Sequence, residues 1–181
     1  MLRQFGAWSD GVFPRGSRPI DYLRVLEPLD RALIVHGNYL DREEIDFIAA
    51  RPQLAVVYCP RTHAYFGHEA HCWLELMERG GSVAIGTDGR GSNPDLSLLR
   101  ELCFLRDRFP EAAPQTLLRL GTACGARALG FDPADWSLAP GKAANLAVVN
   151  LDATDRVDPY DAVLDRRCSV AGTMRGGLWL E

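Results

Sequence analysis

The sequence lacks the features that mark several classes of protein. No run approaches eighteen uninterrupted apolar residues, which excludes a membrane-spanning helix. No cluster of lysine and arginine stands out, and the net charge is −4 with a pI near 5.6. Neither a membrane nor nucleic acid is therefore an expected partner. The amino terminus has no charged start followed by a long apolar run, so no signal peptide is predicted.

Paired cysteines are also missing. The five cysteines are odd in number and widely spaced, and no two form a C-x-x-C motif: Cys59, Cys72, Cys103, Cys124 and Cys168. This pattern is typical of reduced thiols in a protein core and not of a disulfide framework or a closed zinc site. We therefore expect a cytoplasmic protein.

The apolar segments that are present predict the fold class. With 181 residues, 47% of them hydrophobic, the chain is long enough to bury a core. Three short apolar segments, LIV, LAVVY and VAI, occupy 33–35, 54–58 and 83–85 and alternate with helical patterns. This alternation predicts an α/β fold whose parallel sheet is buried on both faces.

Helices are predicted from proline, aspartate and glycine signals at their ends. They start at Pro19 and after Asp41, span 71–79, run from Pro94 or Asp95 to about 108, and occupy 114–120 and 122–129. A long loop is predicted from 59 to 70. Beyond residue 140 the pattern changes to short strands at 145–150 and about 169–180, with the polar segment 152–163 as a surface loop.

Two residues of metal-site type follow the ends of predicted strands. Asp88 comes after VAI in the segment SVAIGTDGRGSN, and His36 comes after LIV in the segment ALIVHGN. Because α/β proteins place their chemistry at the carboxyl ends of such strands, we expect both side chains to be functional. Each also has a plainer interpretation, since Asp-Gly is an ordinary turn and a lone histidine is often structural.

Five motifs, in order along the chain, resemble the amidohydrolase superfamily: HGNYLDREEI, VVYCP, VAIGTDGRGSNPDLSLLREL, TACGARALGF and SLAPGKAANLAVVNLD. More narrowly, they resemble the zinc-dependent deaminases and chlorohydrolases that act on purine-like, triazine and aminofutalosine-type rings. The resemblance implies the carboxyl-terminal part of a (β/α)8 TIM barrel, with barrel strands six to eight within residues 1–139. Residues 140–181 would form the carboxyl-terminal part of a small composite β-sandwich.

The resemblance also implies roles for the two strand-end residues. Asp88 falls where the family's metal-binding aspartate ligates a divalent metal, above all zinc, and passes a proton from the attacking water to the leaving group. His36 falls where the sixth-strand histidine orients the water and the reacting group. The implied reaction is hydrolysis of a C–N bond in a small substrate, such as deamination of a purine-like ring, by metal-activated water.

The predicted loop after the second strand carries further candidates. Because loops at the strand ends of a barrel line its pocket, Arg61 and His63 are predicted to contact substrate. Arg61 suits a carboxylate or another anion, but a surface salt bridge explains it equally well. His63, His68 and His71 could together ligate zinc, yet H-x4-H-x2-H on an irregular loop is not a known ligand spacing.

Parts of the family pattern are absent. No histidine precedes His36, so the H-x-H pair of the first strand, the fifth-strand histidine and the glutamate after it are missing, and the chain is expected to begin after the fifth strand. We therefore predict that the isolated chain does not turn over substrate. Open strand edges should cause association, as a homo-oligomer or with a partner fragment. Two other classes stay open: a non-catalytic binding or assembly protein derived from the barrel, and a self-contained α/β domain.

Overall fold

A sheet of three parallel strands organises the first part of the chain. The computed structural model describes residues 3–7, 9, 11, 16–152 and 158–180. The strands are β1 (Ala32–Val35), β2 (Leu54–Tyr58) and β3 (Ser82–Ile85), in the order β1-β2-β3. The alternation of strands and helices predicted this sheet, and the structure confirms it. Because all three strands are parallel, their carboxyl ends meet at one edge.

The helices of this part pack around the sheet. They are α1 (Pro19–Val25), α2 (Arg42–Ala49), α3 (Pro60–Phe66), α4 (Trp73–Glu78), α5 (Leu98–Arg108), α6 (Pro114–Leu120) and α7 (Ala123–Ala128). Asp41 begins α2, as predicted: its carboxylate accepts from the Glu44 amide (3.0 Å), and the Glu44 carboxylate accepts from the Asp41 amide (2.8 Å). None of the helices within the described ranges has the length and apolar character needed to cross a membrane.

The predicted loop at 59–70 is wrong, because α3 occupies most of it. Pro60 fits the first turn of a helix, where its missing N–H leaves no bond unmade. Gly67, at a φ angle of +66°, ends the helix in the left-handed conformation that glycine adopts without strain. The residues that follow β2 are therefore fixed on a helix and not on an irregular loop.

The predicted start of α5 at Pro94 or Asp95 is also wrong, because the helix begins at Leu98. The side chains of Asn93 and Asp95 accept hydrogen bonds from the amides that follow them, which competes with helix formation. Ser97 then caps the helix. The remaining predicted helices end within about two residues of the observed ones.

The buried core lies between one face of the sheet and the helices. Its fully buried side chains include Ile48, Leu54, Val56, Trp73, Leu76 and Leu105. Burial of a side chain of this kind contributes about 1.5–3 kcal/mol relative to exposure. The core therefore fixes the strands whose ends carry the candidate site.

The other face of the sheet is only partly covered. Helix α7 covers β2 and β3 there, where Ala128 packs with Ala55 and Ala84. Leu33 and Val35 of β1, in contrast, remain 40% and 53% exposed. The prediction of a sheet buried on both faces is therefore wrong for β1, over which the described residues do not close a second layer.

A second, antiparallel sheet holds the end of the chain. Its strands are β4 (Leu146–Asn150), β5 (Ser169–Arg175) and β6 (Leu178–Leu180), in the order β4-β5-β6. The short strands predicted at 145–150 and 169–180 are confirmed, and Gly176 and Gly177 form the turn between the last two. The predicted domain division between residues 139 and 140 stays a prediction.

The predicted surface loop at 152–163 is wrong in its second half. Helix α8 (Pro159–Val163) begins after Asp158, whose carboxylate accepts a hydrogen bond from the Tyr160 amide (2.9 Å). An aspartate cap followed by proline is a standard helix start, and it explains the element. Residues 153–157 of that predicted loop lie outside the described residues.

Candidate active site

The chain turns sharply where β1 ends, and the turn carries His36. The His36 amide still donates to the Val57 carbonyl (2.9 Å), so the sheet extends to this residue. His36 and Gly37 then adopt positive φ angles of 70° and 60°. A Cβ atom at Gly37 would lie 3.2 Å from Leu40 and 3.3 Å from Val56, so glycine best fits the turn.

Asp88 lies at the same edge of the sheet, just beyond β3. The Gly86 amide donates to the Tyr58 carbonyl (2.9 Å), and Asp88 follows with a φ angle of 57°. Ser92 Oγ donates to Asp88 Oδ2 (3.1 Å) and lies 3.0 Å from Thr62 Oγ1. The Ser92 hydroxyl therefore orients the Asp88 carboxylate, and Thr62 on α3 in turn holds the Ser92 hydroxyl.

The structure brings the two predicted residues together. His36 Nε2 lies 3.9 Å from Asp88 Oδ2, and the two side chains are 39% and 35% exposed. They face a cavity of about 160 Å³ whose walls also include Asn38, His63 and His68. An imidazole and a carboxylate at this distance, both reached by solvent, can hold a water molecule or a ligand between them.

Larger cavities lie elsewhere. One of about 390 Å³ lies beside Gln53 and Ser82 at the amino edge of the sheet. Another, of about 510 Å³, is a groove between α7 and the carboxyl-terminal sheet. Neither is lined by a histidine, so we place the candidate site at the smaller cavity, where reactive groups face each other.

His63 forms part of the wall of this cavity. The residue is 5% exposed, and within the described chain its Nε2 has no hydrogen-bond partner. Burial, and then the neighbouring His68, lower the pKa of His63, which favours the neutral ring. Within the described chain, this buried ring nitrogen therefore has an unsatisfied hydrogen-bonding capacity.

The three histidines of the segment after β2 lie close to one another. The ring of His63 lies 5.4 Å from that of His68 and 5.7 Å from that of His71. His68 Nδ1 pairs with the Tyr39 hydroxyl (2.6 Å), and His71 Nε2 lies 2.6 Å from the His36 carbonyl. Across the ranges that the structure describes, no three side chains of ligand type converge on a metal position.

Arg61 pairs with acidic side chains and not with this cavity. Its guanidinium makes two bonds to the Asp95 carboxylate (2.7 and 3.2 Å), and its Nε lies 3.6 Å from Glu101. The side chain is 14% exposed and is not among the residues that line the cavity of His36 and Asp88. The salt-bridge alternative therefore describes the observed contacts, and substrate contact by Arg61 stays a prediction.

Glu101 anchors the loop that carries Asp88. This fully buried carboxylate accepts hydrogen bonds from Asn93 Nδ2 (2.5 Å) and from the Arg61 amide (2.9 Å). Asn93 Nδ2 also lies 2.8 Å from the Thr87 carbonyl, next to Asp88. Burial raises the pKa of Glu101, while these donors oppose that shift.

The sequence patterns did not reveal this supporting network. Ser92 and Asn93 lie in the same turn as Asp88, and their spacing could have marked them as partners of the carboxylate. Glu101 and Thr62 carry no local signal, because each occupies an ordinary helical position. Their roles depend on contacts between α3, α5 and the loop after β3.

The donor groups fit part of a metal site. Zinc accepts carboxylate and imidazole ligands, which Asp88 and His36 offer, but catalytic zinc sites use three protein ligands. Among the residues that the structure describes, no third ligand joins them. The described donor set is therefore smaller than the one a catalytic zinc site uses.

Comparisons with known proteins identify the family. The profile of the amidohydrolase family matches residues 15–180. A 5-methylthioadenosine/S-adenosylhomocysteine deaminase from Natronomonas pharaonis is 33% identical over 171 residues, which cover 90% of this chain and 39% of that protein. A zinc-bound adenosine deaminase from Xanthomonas campestris has a TM-score of 0.75 at 29% identity, over 92% of this chain and 40% of that one.

A more distant enzyme class matches the same region. An atrazine chlorohydrolase from Arthrobacter aurescens, solved with zinc and atraton, has a TM-score of 0.70 at 27% identity. The match covers 83% of this chain and 36% of that one, so the chain spans about two fifths or less of these relatives. The fold is thus the part of a barrel that the five motifs predicted. The chain belongs to the amidohydrolase family, in its deaminase-like branch.

Proposed function

We propose that this chain supplies the carboxyl-terminal part of a metal-dependent hydrolase that deaminates an adenosine-like nucleoside. The observation that carries the proposal is the 3.9 Å distance between His36 Nε2 and Asp88 Oδ2 at the carboxyl edge of a parallel sheet. The names of the relatives support the substrate class, since they include methylthioadenosine and adenosine deaminases. The comparisons give no support to the alternative of a non-catalytic binding or assembly protein.

Asp88 and His36 would divide the chemistry between them. Asp88, held by Ser92 at Oδ2, would ligate the metal, accept a proton from the attacking water and deliver it to the leaving amine. His36 would orient that water and stabilise the charge that develops on the ring. A divalent metal, above all zinc, would supply acidity that makes water a nucleophile near neutral pH.

His63 and Arg61 would contribute to substrate binding. His63 is part of the cavity wall, and its Nε2, which has no hydrogen-bond partner among the described residues, would pair with a ring nitrogen or amine of the substrate once a side-chain movement exposes it. Arg61 would support binding indirectly, because its pairs with Asp95 and Glu101 anchor the loop that carries Asp88.

The remaining ligands would come from residues outside the described ones. Within the described part of the chain, β1 and β3 each have one neighbouring strand, so further strands could pair at their other edges. A longer form of the protein, a partner fragment or a second copy could supply them. All five cysteines are free thiols, which supports a cytoplasmic setting.

Metal content and ammonia release test the proposal together. We expect the purified chain to hold far less than about one zinc ion per molecule and to release no ammonia from S-adenosylhomocysteine or 5-methylthioadenosine. A chimera that joins this chain to the preceding region of the Natronomonas pharaonis relative should hold about one zinc ion and release ammonia. Light scattering on the same samples reports whether the open edges cause association.

Asp88→Ala in the chimera should abolish both metal binding and turnover, whereas Asp135→Ala, at an exposed surface pair, should change neither. Turnover by the chain alone would show that its site is complete. A folded chimera that keeps its zinc after Asp88→Ala would refute the role of Asp88.

A further inference from the structure

A histidine outside the proposed reaction contacts the turn that carries His36. His71 Nε2 lies 2.6 Å from the His36 carbonyl oxygen. The next residue, Cys72, places its Sγ 3.9 Å from the Gly37 carbonyl oxygen. Two consecutive residues before α4 thus contact the two consecutive carbonyls of the left-handed turn after β1.

The contact assigns the proton on the His71 ring. A carbonyl oxygen only accepts hydrogen bonds, so Nε2 must carry the hydrogen and donate it. The other nitrogen, Nδ1, is buried and has no partner in the described chain. Burial lowers the pKa of His71 to about 4, which keeps the ring neutral at physiological pH. His71 therefore donates a hydrogen bond to the His36 carbonyl through Nε2 and cannot accept one there.

The core holds the His71 ring in place. It stacks on the Tyr58 ring with a centroid distance of 4.0 Å and an interplanar angle of 23°. Tyr58 is 2% exposed at the end of β2, and its other ring neighbours include Trp73. The donor nitrogen is therefore supported by a rigid part of the molecule.

We infer that His71 is a positioning residue whose Nε2–H group holds the His36 carbonyl and so directs the His36 imidazole toward Asp88. A non-glycine residue at positive φ is strained and persists only where its surroundings hold it. His36 is such a residue, and the bond from His71 is a direct restraint on its peptide group. The catalytic meaning of this restraint rests on the proposed function.

Amide hydrogen exchange on the full chain tests the restraint without metal or substrate. His71→Phe keeps an aromatic ring to stack on Tyr58 but removes the donor, and His71→Gln keeps a donor but removes the ring. Loss of one hydrogen bond of about 1.4 kcal/mol corresponds to about tenfold faster local opening. We expect about tenfold faster exchange at the His36 and Gly37 amides in the Phe variant. In the Gln variant, the exchange rates should stay within about threefold of the parent protein.

The control amide is Val56, in the middle of the same sheet, which should exchange at the parent rate in both variants. Unchanged exchange at His36 and Gly37 in the Phe variant would overturn the inference. If exchange at Val56 accelerates equally, His71 contributes to general stability. If exchange at His36 and Gly37 accelerates in the Gln variant, the effect comes from ring packing. Either result would also overturn the inference.

The chimera separates this inference from the proposed function. There, His71→Phe should lower kcat by about tenfold with little change in KM, and His71→Gln should restore most of it. A chimera without any turnover would refute the proposed function, while the exchange data would still decide whether His71 restrains the turn.

Discussion

The two sheets of this chain differ in how much of their surface is covered. In the parallel sheet, Leu54 and Val56 are fully buried against helices, whereas Leu178, Trp179 and Leu180 of β6 are 74%, 60% and 54% exposed. Three strands without a covered apolar face are marginally stable. The first sheet therefore has its own core and can hold a site, while the second presents an apolar surface of the kind that other elements cover.

Only one face of the parallel sheet is fully covered by the described helices. Leu33 and Val35 of its edge strand β1 are exposed on the face that α7 covers elsewhere, and His36 follows directly. The candidate site thus lies where the covered and uncovered parts of the sheet meet. Asp88 is well supported there by Ser92, although no group of three ligand-type side chains forms among the described residues.

Truncating a leucine to alanine should lower the free energy of unfolding much more around the parallel sheet than in the carboxyl-terminal sheet, and this is the largest difference we expect. Leu105→Ala, in the core of the first region, should lower the free energy of unfolding by about 2–5 kcal/mol through lost burial and a cavity. Leu178→Ala, on β6, should change it by less than about 0.5 kcal/mol. Urea unfolding monitored by circular dichroism measures both, and equal losses would show that β6 is covered in solution.

Removing a carboxylate should also lower the free energy of unfolding more around the parallel sheet than near the carboxyl-terminal sheet, but by a smaller amount. Glu101→Ala leaves the Asn93 amide group and the Arg61 backbone amide without their acceptor, so we expect a loss of about 3 kcal/mol in unfolding free energy. Asp152→Ala removes an exposed pair with Arg167 (3.2 Å) after β4 and should have no measurable effect. A Glu101→Ala protein as stable as its parent would contradict the anchoring role of Glu101.

Acid should lower the free energy of unfolding through His71, which packs beside the parallel sheet, and this effect should be smaller than the previous two. The pKa of His71 is about 4 in the folded chain against an ordinary value of 6.5, so the unfolded chain binds its proton first as the pH falls. Stability is full above pH 6.5 and declines as the pH falls toward 4. We expect the parent to lose about 2 kcal/mol more than His71→Phe across this range.

Urea unfolding of both proteins at several pH values measures that difference. Leu178→Ala serves as the control, because the four histidines of the chain all precede the second sheet and its pH profile should follow the parent. Parallel profiles for the parent and His71→Phe would show that His71 is as accessible to protons as in the unfolded chain.

Local patterns were sufficient to predict the strands and the two residues at their ends. LIV and VAI are short apolar runs between helices, and parallel strands place their carboxyl ends at one edge, so the meeting of His36 and Asp88 followed from topology. Pro94, in contrast, led to a wrong predicted start for α5, because the Asn93 and Asp95 side chains accept hydrogen bonds from the backbone amides that follow Pro94. The choice between turn and helix there depended on side-chain hydrogen bonds.

The role of Arg61 shows what the sequence could not decide. An arginine after a strand can bind a substrate anion or an acidic side chain, and only the fold shows that Asp95 and Glu101 lie within reach. His71 is a similar case, because no spacing in H-x4-H-x2-H indicates a carbonyl acceptor at His36.

Local sequence patterns were therefore enough to predict the order of strands and helices, the family resemblance, and the placement of His36 and Asp88 at strand ends. Packing between distant segments determines what supports them: His71 on the His36 carbonyl, Thr62 on the Ser92 hydroxyl beside Asp88, and Glu101 beneath the loop. The physical reason is separation along the chain. The His71 and Thr62 contacts join residues 35 and 30 positions apart, whose distance is set by packing and not by local conformation.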